Sequence, residues 1–285
     1  MNKMMTTIAL LSISSYASAK INPSVVYGDD NRLDVYESTN QTYKKLALST
    51  AAMIPSSSIA NDGTKVTITS GTLSGDGICS DERFATQPTA AMCSGFLVGK
   101  DLLVTAGHCI TSDADCNSNS WVFDYAMSGA KNTPTTLSAN SVYKCSKIIS
   151  RTLDRSTQND YALIKLDRVV NDRAPLTYRT SGKIAKNTEL VVIGHPSGLP
   201  TKISDGAFAR DVSNKYYFQA NLDTFGGNSG SAVFDAKTGS IEGILVRGER
   251  DYDYDSNASC YRPRKCAMDE CRGEDVTRIT NVPGL

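Results

Sequence analysis

Short apolar runs separated by turn residues recur along most of the chain. The clearest of them read "GFLVG", "LLVTAG", "YALIKL", "ELVVIG", "KYYFQANL", "SAVFD" and "IEGILVRG". Glycine, proline, asparagine and aspartate separate them, and no long stretch shows the 3.6-residue apolar period of a helix. The pattern therefore predicts an all-β protein, built as an antiparallel sandwich or barrel.

Two neighbouring runs predict a β-hairpin. They lie within Ala91–Ile110 and flank the polar pair Lys100-Asp101, which suits the turn between paired strands. The stretches at 45–54 ("KLALSTAAMI") and 64–73 ("TKVTITSGTL") predict further short strands.

Three stretches are too polar or too rich in turn residues to belong to the core. Residues 25–41 are expected to run along the surface. Residues 167–183 are expected to link two halves of the fold. Residues 247–266 are charged and contain two cysteines, so we expect a solvent-facing excursion held by disulfides.

The first 19 residues have the pattern of a signal peptide. Lys3 precedes the apolar run Ile8–Ile13, and the small-residue motif Ala17–Ala19 follows it. The run is much shorter than the roughly 20 apolar residues of a membrane span, and no later segment is apolar enough to span. We therefore expect export, with no membrane association after the signal is cleaved.

The composition limits the classes of function that are expected and the oxidation state of the cysteines. The 30 basic and 30 acidic residues balance, which argues against a general nucleic-acid binder. The eight cysteines form no C-x-x-C pair, so in an exported chain they favour four disulfides over a structural metal. Their positions are Cys79, Cys93, Cys109, Cys116, Cys145, Cys260, Cys266 and Cys271. Spacing alone leaves their pairing open.

One serine, Ser229, lies among glycines in "DTFGGNSGSAV". A serine hydroxyl becomes a strong nucleophile only beside a base, and that base needs a carboxylate to orient it. The chain has two histidines. His108 follows an apolar strand, whereas His195 precedes a proline at a strand end and is interpreted as structural. Asp160 stands at the mouth of the strand "YALIKL" and is the candidate carboxylate.

The motifs "TAGHC", "NDYALIKL" and "GNSGSAV", in that order, resemble those of chymotrypsin-type (trypsin-like) serine peptidases. The residues around Ser229 and the stretch "VVYGDDNRLDV" are most similar to the bacterial glutamyl-endopeptidase (V8-like) branch. An α/β-hydrolase is disfavoured, because its elbow motif needs glycine where Ser231 stands.

The resemblance implies two six-stranded antiparallel β-barrels with the active site in the cleft between them. Residues 25–172 would form an N-terminal extension and the first barrel, and residues 173–285 the second barrel with a disulfide-rich C-terminal loop. It further implies a Cys93–Cys109 disulfide. A pro-segment at residues 20–24 would be removed to leave Val25 as the first residue.

The resemblance also assigns roles. His108 is the base, Asp160 orients it and Ser229 is the nucleophile, while the backbone N–H groups of Gly227 and Ser229 form the oxyanion hole. Asn228 replaces the family's aspartate, so activation through an ion pair with a new N-terminus is not expected. The serine that supports the catalytic aspartate in the family is Val246 here.

The specificity pocket is expected to be lined by Asp223, Thr224, Leu245, Val246 and Gly248. A buried carboxylate at Asp223 would favour substrates with Arg or Lys. The glutamyl branch has a histidine where Leu245 stands, which argues against glutamate preference. Arg247 could still attract an acidic side chain, so acidic and small-residue preferences remain open.

Together these features predict a secreted bacterial serine endopeptidase, extracellular or periplasmic. We expect it to act as a monomer on protein or peptide substrates, without metal or organic cofactor. The alternatives are a catalytically silent homologue that serves as a binding module, an esterase, and a glutamate-preferring endopeptidase. Labelling by a fluorophosphonate would exclude the silent homologue.

Overall fold

The computed structural model describes residues 25–285. The predicted signal peptide and pro-segment, residues 1–24, lie outside them. Within the described range, no helix is long and apolar enough to cross a membrane.

In the described range the chain forms twenty strands and two short α-helices, which confirms the all-β prediction. The strands are β1 (Val26–Tyr27), β2 (Arg32–Asp34), β3 (Thr50–Pro55), β4 (Ile59–Asn61), β5 (Lys65–Ile68), β6 (Cys93–Leu97), β7 (Leu102–Thr105), β8 (Asn119–Val122), β9 (Thr136–Ser138), β10 (Val142–Leu153), β11 (Asp160–Leu166), β12 (Glu189–Gly194), β13 (Lys202–Asp211), β14 (Tyr217–Ala220), β15 (Ala232–Asp235), β16 (Ile241–Arg247), β17 (Tyr252–Asp255), β18 (Cys260–Pro263), β19 (Lys265–Cys266) and β20 (Glu274–Arg278). The helices are α1 (Gln41–Ala47) and α2 (Asp113–Ser118), and 3₁₀ turns occupy Ser56–Ser58, Ala139–Ser141, Pro196–Gly198 and Ile279–Asn281.

Six strands close the first barrel in the order β10-β11-β7-β6-β3-β8. Its interior holds fully buried side chains such as Phe96, Leu103 and Trp121. The predicted hairpin is confirmed, because β6 and β7 pair antiparallel with Gly95 opposite Thr105. This hairpin matters for the site, since the turn that carries His108 follows β7 directly.

The second barrel follows the order β12-β15-β16-β20-β14-β13 and closes where β13 pairs back onto β12. Its core includes Leu190, Phe218, Val233 and Val276. The polar stretch predicted to link the two halves, residues 167–183, contains no strand and lies between β11 of the first barrel and β12 of the second. The predicted two-barrel architecture is therefore confirmed.

The prediction of a strand across residues 45–54 is wrong in its first half. Helix α1 ends at Ala47, and β3 begins only at Thr50. The side chain of Asn40 accepts hydrogen bonds from the backbone N–H groups of Thr42 and Tyr43, which caps the helix. Tyr43 and Ala47, four residues apart, form the buried face of this helix. The apolar run alone did not distinguish this helical face from a strand.

The prediction that residues 25–41 run along the surface is wrong in part, because both short strands of this stretch bury side chains, whereas most of its other residues are at least partly exposed. Val25, Val26 and Tyr27 are at most 1% exposed, because β1 pairs with β19. Strand β2 adds to β13 of the second barrel, where Asp34 forms a buried ion pair with Lys202. The polar composition of this segment was misleading because its buried charges are paired, Asp34 with Lys202, 168 residues away, and Arg32 with Asp30, two residues away.

The eight cysteines form four disulfides and none is free, as expected. The bonds are Cys79–Cys260, Cys93–Cys109, Cys116–Cys145 and Cys266–Cys271. The second of these closes the hairpin, as the resemblance implied. The first ties the charged excursion, whose strands β17 and β18 form a hairpin, to the loop between β5 and β6.

Candidate active site

His108 and Asp160 meet at one end of the first barrel. His108 lies in the turn after β7, and Asp160 opens β11, which pairs with β7. The Nδ1 atom of His108 lies 2.8 Å from Oδ2 of Asp160, and the backbone N–H of His108 donates to Oδ1 over 3.1 Å. Asp160 is 3% exposed, whereas a third of the His108 side chain is open to solvent. The carboxylate thus holds both the ring and the backbone of the histidine.

Ser229 lies against the same hairpin although it belongs to the second barrel. Its carbonyl oxygen accepts a 2.8 Å hydrogen bond from the backbone N–H of Ser94 in β6. The same oxygen lies 3.6 Å from Sγ of Cys109, the residue after His108. The three residues predicted from the motifs are therefore brought to one place between the barrels.

The backbone N–H groups around Ser229 divide into two sets. Those of Gly226, Asn228 and Gly230 donate to Asp251, Phe225 and Leu245 respectively. Within residues 25–285, those of Gly227 and Ser229 have no acceptor. These are the two donors predicted for the oxyanion hole, so the loop leaves this pair available for a ligand.

Gly227 must be glycine for two structural reasons. Its φ is +93°, and a Cβ there would lie 2.5 Å from the carbonyl oxygen of His195. Gly230, with φ of +88°, is equally restricted, because its Cβ would meet the carbonyl oxygen of Ser94 at 2.1 Å. The glycines therefore allow the nucleophile loop to pack against backbone on both sides, rather than make it flexible.

The sequence analysis missed the groups that support this loop. Asp251, from the charged excursion, accepts the 2.8 Å hydrogen bond from Gly226, and Ser197 donates its N–H to the Gly226 carbonyl at 2.5 Å. Burial raises the pKa of Asp251 to about 7, against the opposing effects of the Gly226 N–H and Arg32. Nothing in the charged stretch 247–266 distinguished this aspartate from its exposed neighbours.

His195 is fully buried behind the loop. Its Nδ1 lies 3.0 Å from the carbonyl oxygen of Leu199, and its backbone N–H donates to the hydroxyl of Ser94. Burial lowers the pKa of its imidazole to about 3, so the ring is neutral and Nδ1 donates. This geometry fits the structural interpretation made from the sequence.

Asn228 is buried, and its side-chain oxygen accepts a 3.1 Å hydrogen bond from the hydroxyl of Ser231. This local bond orients the side chain without a charged partner. The expectation that no N-terminal ion pair forms here remains a prediction.

The residues expected to line the specificity pocket have different environments. Leu245 and Val246 are buried, Leu245 in the core of the second barrel and Val246 in a second hydrophobic cluster that also contains Phe96 and Leu103. Asp223 accepts hydrogen bonds from the backbone N–H groups of Tyr27, at 2.7 Å, and Asn31, at 3.0 Å. Burial raises its pKa to about 7. Asp223 therefore anchors the N-terminal segment.

Thr224 and Gly248 both contact Glu274, which the sequence analysis did not single out. Arg247 is held by Asp275 at 2.9 Å and by the carbonyl oxygen of Gln158 at 2.9 Å. Nothing in the sequence singled out Glu274, which opens the short and mostly polar strand β20.

The side chains of Cys93, His108 and Cys109 bring their potential ligand atoms within 4.8 Å of one another. The two sulfurs form a disulfide, so neither offers the thiolate that a metal would need.

Comparison with known proteins settles the family. The model of the trypsin-like peptidase domain matches residues 93–244, more than half of the chain. The chain belongs to the trypsin-like peptidase family.

The relatives of this trypsin-like peptidase agree with its fold. A glutamyl endopeptidase of Bacillus licheniformis is 29% identical over 150 residues, which cover 50% of this chain and 45% of that protein. The match thus spans less than half the length of this curated relative. A solved structure of a Glu endopeptidase superposes with a TM-score of 0.51 at 18% identity, over 90% of this chain and 96% of the other. The VesB protease of Vibrio cholerae gives 0.51 at 13% identity, over 88% and 64%.

Proposed function

We propose that this trypsin-like peptidase is a secreted serine endopeptidase. The observation that carries the proposal is the 2.8 Å contact between His108 and Asp160 beside a loop that presents Ser229. Four disulfides support an oxidising compartment.

The proposed reaction has two stages, formation of an acyl-enzyme and its hydrolysis. The Ser229 hydroxyl attacks the scissile carbonyl, and Nε2 of His108 takes its proton. The backbone N–H groups of Gly227 and Ser229 stabilise the oxyanion of the tetrahedral intermediate. The imidazolium then protonates the leaving amine, and a water activated by His108 hydrolyses the acyl-enzyme.

Asp160 fixes the tautomer of His108 in this scheme. Its Oδ2 accepts the proton on Nδ1, which leaves Nε2 unprotonated and able to act as the base. The same carboxylate, almost fully buried, stabilises the imidazolium when it forms. The exposed side of the ring faces solvent, where a substrate can approach.

A fluorophosphonate probe tests the nucleophile directly. Wild-type protein should be labelled and should hydrolyse both an ester and the matching peptide amide. Ser229→Ala should lose labelling and reduce kcat by about 10⁴- to 10⁶-fold, whereas the exposed Ser213→Ala should behave as wild type. A folded wild-type protein that is not labelled would instead favour a binding module, and ester hydrolysis alone an esterase.

A further inference from the structure

A buried arginine of the N-terminal segment contacts the turn that precedes Ser229. Arg32, in strand β2, is 2% exposed. Its guanidinium carbon lies 4.1 Å from the centre of the Phe225 ring and 5.3 Å from that of Phe84, both within the roughly 6 Å range of a cation–π contact. Phe225 is itself only 1% exposed. This contact therefore connects β2 to a residue four positions before the nucleophile.

Asp30 holds this guanidinium in place. Nε and Nη2 of Arg32 donate to the two carboxylate oxygens over 2.8 and 2.7 Å, a bidentate pair that fixes the plane of the group. Burial alone would lower the pKa of Arg32, but the bonds to Asp30 raise it above its ordinary value, so the group is charged. Within residues 25–285 the remaining nitrogen, Nη1, has no hydrogen-bond partner. The aromatic faces are therefore well placed to compensate the part of the charge that Asp30 does not reach.

Phe225 begins the turn that presents the first of the two expected oxyanion donors. Its carbonyl oxygen accepts the N–H of Asn228 at 2.9 Å, which closes a turn over residues 225–228, and Gly227 is the third residue of that turn, with φ of +93°. The carbonyl oxygen of Gly226 accepts the N–H of Ser197. A trans peptide has its C=O and N–H on opposite sides, so the N–H of Gly227 points away from Ser197. The direction of this donor therefore depends on how the turn is held.

A tyrosine of the charged excursion contacts the same phenylalanine. The ring centre of Tyr252 lies 5.1 Å from that of Phe225, and the Tyr252 hydroxyl shares a hydrogen bond with the hydroxyl of Ser197. Ser197 is the residue whose N–H holds the carbonyl of Gly226. One series of contacts thus leads from Arg32 through the Phe225 ring to both ends of the turn.

The charge of Arg32 gives the N-terminal segment a part in the chemistry of this turn. The side chain of Asn228 accepts from the neutral hydroxyl of Ser231 and so brings no charge to the turn, whereas the guanidinium of Arg32 contacts it through Phe225. We propose that Arg32 is a positioning residue for catalysis, which holds the Phe225 ring and thereby keeps residues 225–228 in the form that directs the Gly227 N–H at the oxyanion. This inference rests on the proposed function.

Arg32→Met tests the proposal, because methionine keeps an apolar stem and removes the charged plane. Asp30 retains a cation in this variant, since Arg83 lies 3.3 Å from it, so the protein should still fold. Its kcat on a peptide amide should fall about 10- to 100-fold, the scale of misplacing one oxyanion donor. Its KM should stay within about threefold of wild type, because the lost interaction belongs to the transition state. The rate constant for labelling by a fluorophosphonate should fall with kcat.

Arg173→Met is the matched control for the loss of a buried cation. The Arg173 side chain is 5% exposed, binds Asp124 and Asp172, and lies 4.6 Å from the centre of the Phe123 ring in the core cluster of the first barrel. Both variants should unfold at lower urea concentrations than wild type, whereas kcat of Arg173→Met should stay within about twofold. An equal loss of kcat in the two variants would show that Arg32 acts only through the stability of the fold.

Phe225→Leu is a second variant, and it leaves the pair between Arg32 and Asp30 intact. It should lower kcat by a factor similar to that of Arg32→Met. The double variant should lose no more than about threefold beyond either single one, because both changes act through one contact. Losses that multiply, an unchanged kcat in Arg32→Met, or an effect confined to KM would overturn the proposal. Failure of the fluorophosphonate to label wild type would instead count against the proposed function.

Discussion

The two barrels differ in how they bury charge. On the six strands of the first barrel, Asp160 is the only charged side chain that is buried, and it holds the candidate base. The six strands of the second barrel bury five charged residues, which are Lys202, Glu242, Glu274, Asp275 and Arg278. Burial alone therefore singles out one charged residue in the first barrel, whereas in the second barrel the buried charges can be told apart only by their contacts.

Most buried charges of the second barrel have structural partners. Glu242 pairs with Arg179 at 2.6 Å, and Asp275 pairs with Arg247. Arg278 donates to the carbonyl oxygens of residues 212 and 214. Such pairs contribute little net stability, but losing one partner is expensive because it leaves a buried charge uncompensated.

The largest effect is expected at Asp160. Asp160→Asn should lower kcat by about 10⁴-fold, because the amide no longer holds the tautomer of His108 that leaves Nε2 free. Steady-state kinetics on a peptide amide would measure it. The control is Asp101→Asn, which removes a partly exposed ion pair with Lys165 and should leave kcat within about twofold. If kcat of Asp160→Asn falls less than tenfold, the buried charge of the first barrel would be structural, like the paired charges of the second.

The next effect is on stability. Lys202→Met should lower the free energy of unfolding by about 3–5 kcal/mol, because it leaves Asp34 buried without its cation. Urea denaturation would measure the change.

A paired variant completes the test at this site. Asp34→Asn combined with Lys202→Met should recover part of the lost stability, since neither charge then remains buried. An effect of Lys202→Met below 1 kcal/mol, or a double variant less stable than the single one, would show that this pair behaves like a surface ion pair.

The smallest effect concerns pH and Asp251. Its pKa is raised from 3.8 to about 7, so its contribution to stability is complete below pH 4 and is lost as the pH rises towards 7. Asp251→Asn removes this titration while keeping an acceptor for Gly226. The stability of wild type relative to the variant should therefore fall between pH 4 and 7.

Melting temperatures of the two proteins across that pH range would show the trend. Comparing them cancels the similar titration of Asp223, which both proteins retain. Parallel curves for wild type and Asp251→Asn would contradict the prediction.

The motifs predicted the two-barrel fold and the meeting of His108 with Asp160, because each motif stands at the end of a short apolar strand. They did not predict the contacts of Glu274 or Asp251. Those depend on Gly248 and Gly226 lying beside residues about 25 positions away in the chain, and such approaches leave no local pattern. The buried N-terminal segment was missed for the same reason, since Asp34 and Lys202 are 168 residues apart.

The position of β2 has a consequence for biosynthesis. This strand is among the first parts of the described chain to leave the ribosome, yet its partner β13 belongs to the barrel translated last. The first barrel can assemble while translation continues, but the Asp34–Lys202 pair cannot form until the second barrel exists. Until then, β2 has no strand to pair with, because the closed first barrel has no free strand edge.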